Sequence, residues 1–80
     1  MTPPRIWKLG EECRVICPDG RKVDATVELA SSNGFSLAVS FEAIVGGWVG
    51  MMALLWSAER ARFKDFRGEP FELRDPHGHG

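Results

Sequence analysis

Residues 44–56 read IVGGWVGMMALLW, an uncharged apolar run in the middle of a chain of 80 residues. In an extended chain, successive side chains point to opposite sides. That places Trp48, Met52, Leu54 and Trp56 on one side and Val49, Met51, Ala53 and Leu55 on the other. Both sides are therefore apolar. One of them can line a core, whereas the other calls for a second layer, a neighbouring chain or a ligand, because so short a chain has little interior to spare.

Size and charge narrow the field. A chain of this length makes one domain. Residues 1–10 read as an N-terminal arm, 11–74 as the folded body and 75–80 (DPHGHG) as a mobile tail. The composition is that of a globular protein, 44% hydrophobic and 26% charged, and the net charge is −1. The basic excess of a general nucleic-acid binder is missing. Cys13 and Cys17 would share one side of a strand about 13 Å apart, beyond disulfide reach, so both are expected to be reduced in a cytoplasmic protein. Met1-Thr-Pro-Pro-Arg5 is not followed by the apolar stretch of a secretory signal, and residues 44–56 are too short to cross a bilayer as a helix. No membrane association is expected.

The order of elements begins with strands. Prolines 3 and 4 keep the first residues extended, and Ile6, Trp7 and Leu9 are candidates to pin the arm to the body. Cys13, Val15 and Cys17 alternate, then Pro18-Asp19-Gly20 marks a turn. Val23, Ala25, Val27 and Leu29 alternate with polar residues, the mark of a half-buried strand. Asn33-Gly34 then signals a two-residue hairpin, and Phe35, Leu37, Val39 and Phe41 continue the pattern. A three-stranded meander over about 12–42 follows.

Beyond Gly46-Gly47 the pattern fits two structures. As strands, residues 49–56, 61–66 and 71–73 complete an antiparallel barrel. As a helix, 48–67 places Trp48, Met52, Leu55, Trp56, Phe63 and Phe66 on one stripe, with Gly68 and Pro70 as a stop. The all-β reading is preferred because a three-stranded sheet needs its apolar face and an edge covered. The alternative is an α+β fold with the meander and one helix.

Catalysis finds little support. A nucleophile needs a base within hydrogen-bond reach and a group to orient that base. The histidines, His77 and His79, stand in a Gly-rich terminus, Cys13 and Cys17 have no histidine near them, and the carboxylates fall at turns or on polar strand faces. No metal site is expected, since Cys-x3-Cys is not a zinc spacing, and no cofactor. One segment mixes cations with aromatics: Arg60, Arg62, Phe63, Lys64, Phe66 and Arg67 could follow a phosphate backbone while stacking bases. An amphipathic segment with its phenylalanines inward accounts for the same residues, and nucleic acid is a disfavoured partner.

The stretch Val27-Glu-Leu-Ala-Ser31-Ser-Asn-Gly34-Phe-Ser-Leu37 resembles the second half of the signature of PilZ domains: a strand, Ser-x-x-Gly, then a strand. The Pro18-Asp-Gly20 turn and the Gly47-x-Val49 strand start are also similar. The resemblance implies a six-stranded barrel and, in many members, a bound cyclic dinucleotide. Leu29 stands where that motif carries Asp or Asn, and Arg5 and Arg14 lie too far apart to form its arginine pair.

The expectation is thus a small antiparallel barrel of five or six strands, SH3-like or PilZ-like in layout. It would be a non-enzymatic binding or adaptor module that self-associates as a homo-oligomer, a dimer for preference, and it could engage a further protein partner. Trp48, Val49, Met51, Met52, Leu54 and Trp56 are the expected interface. The alternatives are a nucleic-acid or nucleotide binder using the 60–67 segment and a small-molecule binder with a pocket around Trp48 and Trp56.

Overall fold

The computed structural model describes Pro3 and residues 5–76. Six antiparallel strands run β1 (Glu12–Ile16), β2 (Lys22–Ala30), β3 (Ser36–Val45), β4 (Trp48–Ser57), β5 (Arg62–Lys64) and β6 (Pro70–Arg74). Each pairs with the next, and β6 returns to β1 to close a barrel. The all-β expectation holds, and the helix over 48–67 does not form. That segment contains two strands and the turn between them. Its helical stripe arose because Trp48, Met52 and Trp56, spaced four apart, also share one side of a strand, so both periods place them together.

The turns follow from local chemistry. In Cys17-Pro18-Asp19-Gly20, the Gly20 amide donates to the Cys17 carbonyl at 2.9 Å and the Cys17 amide to that of Arg21 at 2.8 Å. Gly46 and Gly47 both have positive φ (53° and 87°), as a two-residue turn twisted to match its strands requires, and Val45 faces Trp48 across it. The Asn33-Gly34 hairpin departs from the two-residue expectation. The Ser31 amide donates to the Ser36 carbonyl at 2.9 Å, so four residues make the loop. There the Asn33 side-chain oxygen accepts from the Phe35 amide and the Ser31 hydroxyl, at 3.0 and 2.7 Å, a local alternative to the tighter turn.

The core fills the barrel. Cys13, Val15, Val27, Val39, Val45, Met52 and Leu54 are fully buried, and Phe41, Phe63 and Phe71 pack with them. Trp7 joins the same cluster from the arm. The Arg5 guanidinium lies 3.8 Å from the Trp7 ring centroid and pairs with Glu11 at 2.6 Å. The arm is therefore pinned by Trp7, while Ile6 and Leu9 remain largely exposed. Within the tail expected to be mobile, Asp75 lies 3.9 Å from Arg5 and Pro76 lines a surface groove. His77 and His79 are outside the described residues, as are Met1, Thr2 and Pro4. No helix among the described residues is long and apolar enough to cross a membrane.

Candidate interaction surface

Strand β4 has two apolar sides, and the register of β3 decides which one faces in. Met52 lies opposite Val39 and Leu54 opposite Leu37, both buried. Cross-strand partners share a face, so Met52 and Leu54 belong to the core at 0% exposure. Their expected place at a subunit interface is corrected accordingly. Trp48 and Trp56 point the same way and are half-buried against the cluster. The Trp56 ring meets Phe63 edge-on at 5.0 Å.

The other side of β4 faces out. Val49 is 76% exposed, Met51 48% and Leu55 47%. Their partners on β3 are Ile44, Ser40 and Ser36, and Ala53 lies opposite Ala38. Ile44 is exposed, as is Leu29, which lies opposite Ala38 on β2. Between Val49 and Leu55, β4 presents only apolar and small side chains, and the facing stretch of β3, from Ser36 to Ile44, carries a single charge, Glu42. Of the expected interface, Val49 and Met51 are therefore outward-facing, and Ile44, Leu55 and Leu29 join them. Parity along the apolar run already separated these two sets, but it could not say which of them turned inward.

The basic and aromatic segment is dispersed by the fold. Phe63 is buried in the core, which corrects its expected role as a stacking residue. Arg62 and Lys64 are exposed on β5, opposite Ser57 and Leu55, and Arg60 is exposed in the turn that precedes it. Phe66 and Arg67 occupy the β5–β6 turn, at the other end of β5 from Arg60. Phe66 lies 5.9 Å from the Trp48 ring, and the Arg67 guanidinium 5.5 Å from it.

That turn is organised by Asp65, the buried charged residue among those described. Its carboxylate accepts from the Trp48 indole N–H at 2.9 Å and from the Arg67 and Glu69 amides at 2.9 Å each. The Arg67 guanidinium lies 3.4 Å away and also donates to the Gly46 carbonyl. Burial pushes the carboxyl pKa up, but the hydrogen bonds from Trp48, Glu69 and Arg67 outweigh it and hold the value below the usual carboxylate range. Asp65 ties β4 to the β5–β6 turn. All of these donors belong to the protein, so the group acts structurally. Sequence reasoning counted it as a surface charge, yet Asp65-Phe-Arg-Gly68 carries the Asp-first, Gly-last signature of a type I turn.

The remaining chemistry-bearing groups are separate. Cys13 and Cys17 are free and buried, and burial raises the Cys13 thiol pKa to about 11. Among the described residues no three His, Cys, Asp or Glu side chains come together as a metal site. A groove of about 690 Å³ runs over β2 beside β1 and β3, lined in part by Glu12, Asp24, Thr26, Ser40 and Glu42. Neither Trp48 nor Trp56 lines it. Arg14 already pairs with Asp24 at 3.2 Å.

The class defined by this fold and surface is a closed six-stranded β-barrel module with an apolar outer strip. Comparison with protein-family models, with curated proteins and with solved structures finds no match.

Proposed function

We propose that the chain is a non-enzymatic binding or adaptor module that forms a homodimer by apposing the outer faces of β3 and β4. The observation that carries this reading is the strip of Ile44, Val49, Met51 and Leu55, exposed and with no charged side chain along β4. Exposed apolar patches of this kind mark association sites. A specific dimer needs about 800 Å² per chain, against a total surface of 5065 Å². If half of that contact is apolar, it contributes about 10 kcal/mol per chain before an association cost of about 4–15 kcal/mol.

The non-enzymatic part of the reading rests on the state of the candidate groups. The Cys13 thiol is held protonated, and the Asp65 carboxylate is occupied by the turn it organises. The free thiols suit a reducing compartment such as the cytosol.

Sedimentation at micromolar concentration tests the proposal, with a dimer expected. Met51→Glu or Val49→Glu should yield folded monomers, with the far-ultraviolet circular dichroism of the parent. Met52→Glu should instead abolish folding, because it places an unpaired charge in the core. A wild-type chain that sediments strictly as a monomer overturns the reading.

A further inference from the structure

We propose that this dimer is closed and two-fold, and that its register is set by charge: Arg62 and Lys64 at one corner of the outer face meet Glu42 of the second copy at the opposite corner. The inference rests on the self-association proposed above and adds its geometry.

Strand register locates the corners. On β5, Lys64 lies opposite Leu55 and Arg62 opposite Ser57, so both cations flank the Leu55 end of the strip. Glu42 falls on β3 between Ser40 and Ile44, whose partners are Met51 and Val49, so it lies on the outer face at the Val49–Met51 end of the strip. About five residues of strand, roughly 16 Å, separate the two levels, and the width of two strand spacings, about 10 Å, lies between β3 and β5. The charges are too far apart to meet within one chain. All three side chains are exposed, and none of them forms an ion pair with another described residue.

A second copy resolves the arrangement. A two-fold axis in the contact plane, running obliquely across β4, exchanges diagonally opposite corners. The cations of each subunit then meet Glu42 of the other, twice per dimer, while the apolar strips cover one another between them. The groove that begins at Ser40 and Glu42 gives the long Arg62 and Lys64 side chains room, with Glu12 and Asp24 further along it. Complementary charge of this kind fixes register and excludes wrong arrangements more than it adds affinity.

The test uses charge reversal in the full chain. The variants are R62E/K64E and E42K, with circular dichroism confirming that each folds. Alone, each should dissociate with a constant at least about tenfold higher than wild type, since like charges would then face one another. Mixed one to one, the two should form a heterodimer near wild-type strength, read by native mass spectrometry, because the mixture restores both pairs. Should a reversal variant fail to fold, the neutral variants K64Q and E42Q replace it, and each should flatten the salt dependence of wild-type dimerisation. A wild-type dimer indifferent to reversal, or a mixture with no preference for the heterodimer, overturns the charge register and leaves the self-association reading standing. A wild-type monomer overturns both. Open-ended higher assemblies overturn the two-fold closure.

Discussion

Asp65 shows how much a single carboxylate can hold in a barrel this small. Removing it as Asp65→Ala leaves an indole N–H and two backbone amides without their acceptor, in a turn whose residues 66–69 are exposed and where water can replace part of what is lost. Unmet buried donors cost about 1–3 kcal/mol each when isolated, so a total loss of about 2–4 kcal/mol is expected, read as a fall in the denaturation midpoint. Asp65→Asn keeps an acceptor for the amides but turns an NH2 toward Trp48 or Arg67, and about 1–3 kcal/mol should go. The folded-state pKa of Asp65 is lowered. Its contribution is therefore present above the unfolded value, near 3.9, and is lost as pH falls through the folded value. Acid titration of wild type against D65N should show that difference disappear at low pH. Cys13 has the opposite sign. With its thiol raised to about 11, the contribution is whole below the unfolded value of about 8.5 and fades as pH climbs toward 11. Native protein at neutral pH should leave Cys13 unmodified by a thiolate-directed reagent, and unfolded protein should not. The identity of these residues was plain in the chain, but their burial was not, because it depends on strands many positions away, for Asp65 on Trp48 above all.

At the scale of elements, alternation located the first three strands to within a few residues. Local chemistry suffices for that, since a proline, a glycine pair or an alternating run acts on its own neighbours. Beyond Gly46-Gly47 the pattern fitted a helix equally, and strands were preferred because the meander needed its face and edge covered. Alternation stopped short at the facing of β4. Trp48 to Leu55 is apolar on both sides, and only pairing with Leu37 and Val39 turns Met52 and Leu54 inward. The candidate site was accordingly legible only in part: of the six expected contacts Val49 and Met51 face out, while Met52 and Leu54 lie in the core and Trp48 and Trp56 pack against it. Gly50, with φ at 80°, sits where the β3–β4 register shifts and the strand must kink. The turn between β4 and β5 carries a strained residue of its own. Ala61 has φ at 54°, a left-handed conformation that costs a residue with a Cβ about 1–2 kcal/mol. Ala61→Gly relieves that strain and gives back about 0.5–1 kcal/mol through a freer unfolded chain. A net gain of up to about 1 kcal/mol is expected, seen as a higher melting temperature with no change in oligomeric state.

For the whole molecule, the apolar surplus recognised in residues 44–56 is shared between the interior and the outer strip. The same chain cannot remove both from water alone, and the proposed dimer follows from that division. The arm contributes at this scale too. Trp7 completes the core from outside the six strands, and Trp7→Ala is expected to lower stability by about 3–4 kcal/mol in a urea titration, with the sheet pattern retained. The pairing of β1 with β6 carries a further consequence. Residues 14 and 74 face one another across it, so the polypeptide must bring its two ends together before the structure is complete, and the entropy of that long loop weighs on the rate. A short peptide tether between the termini, with new ends cut in the 58–61 turn, would make that meeting local. Such a rewired chain hands the end-to-end pairing to β4 and β5, so it should reach the same architecture at about its parent's refolding rate, whereas a marked change would single out one seam as the slower to close.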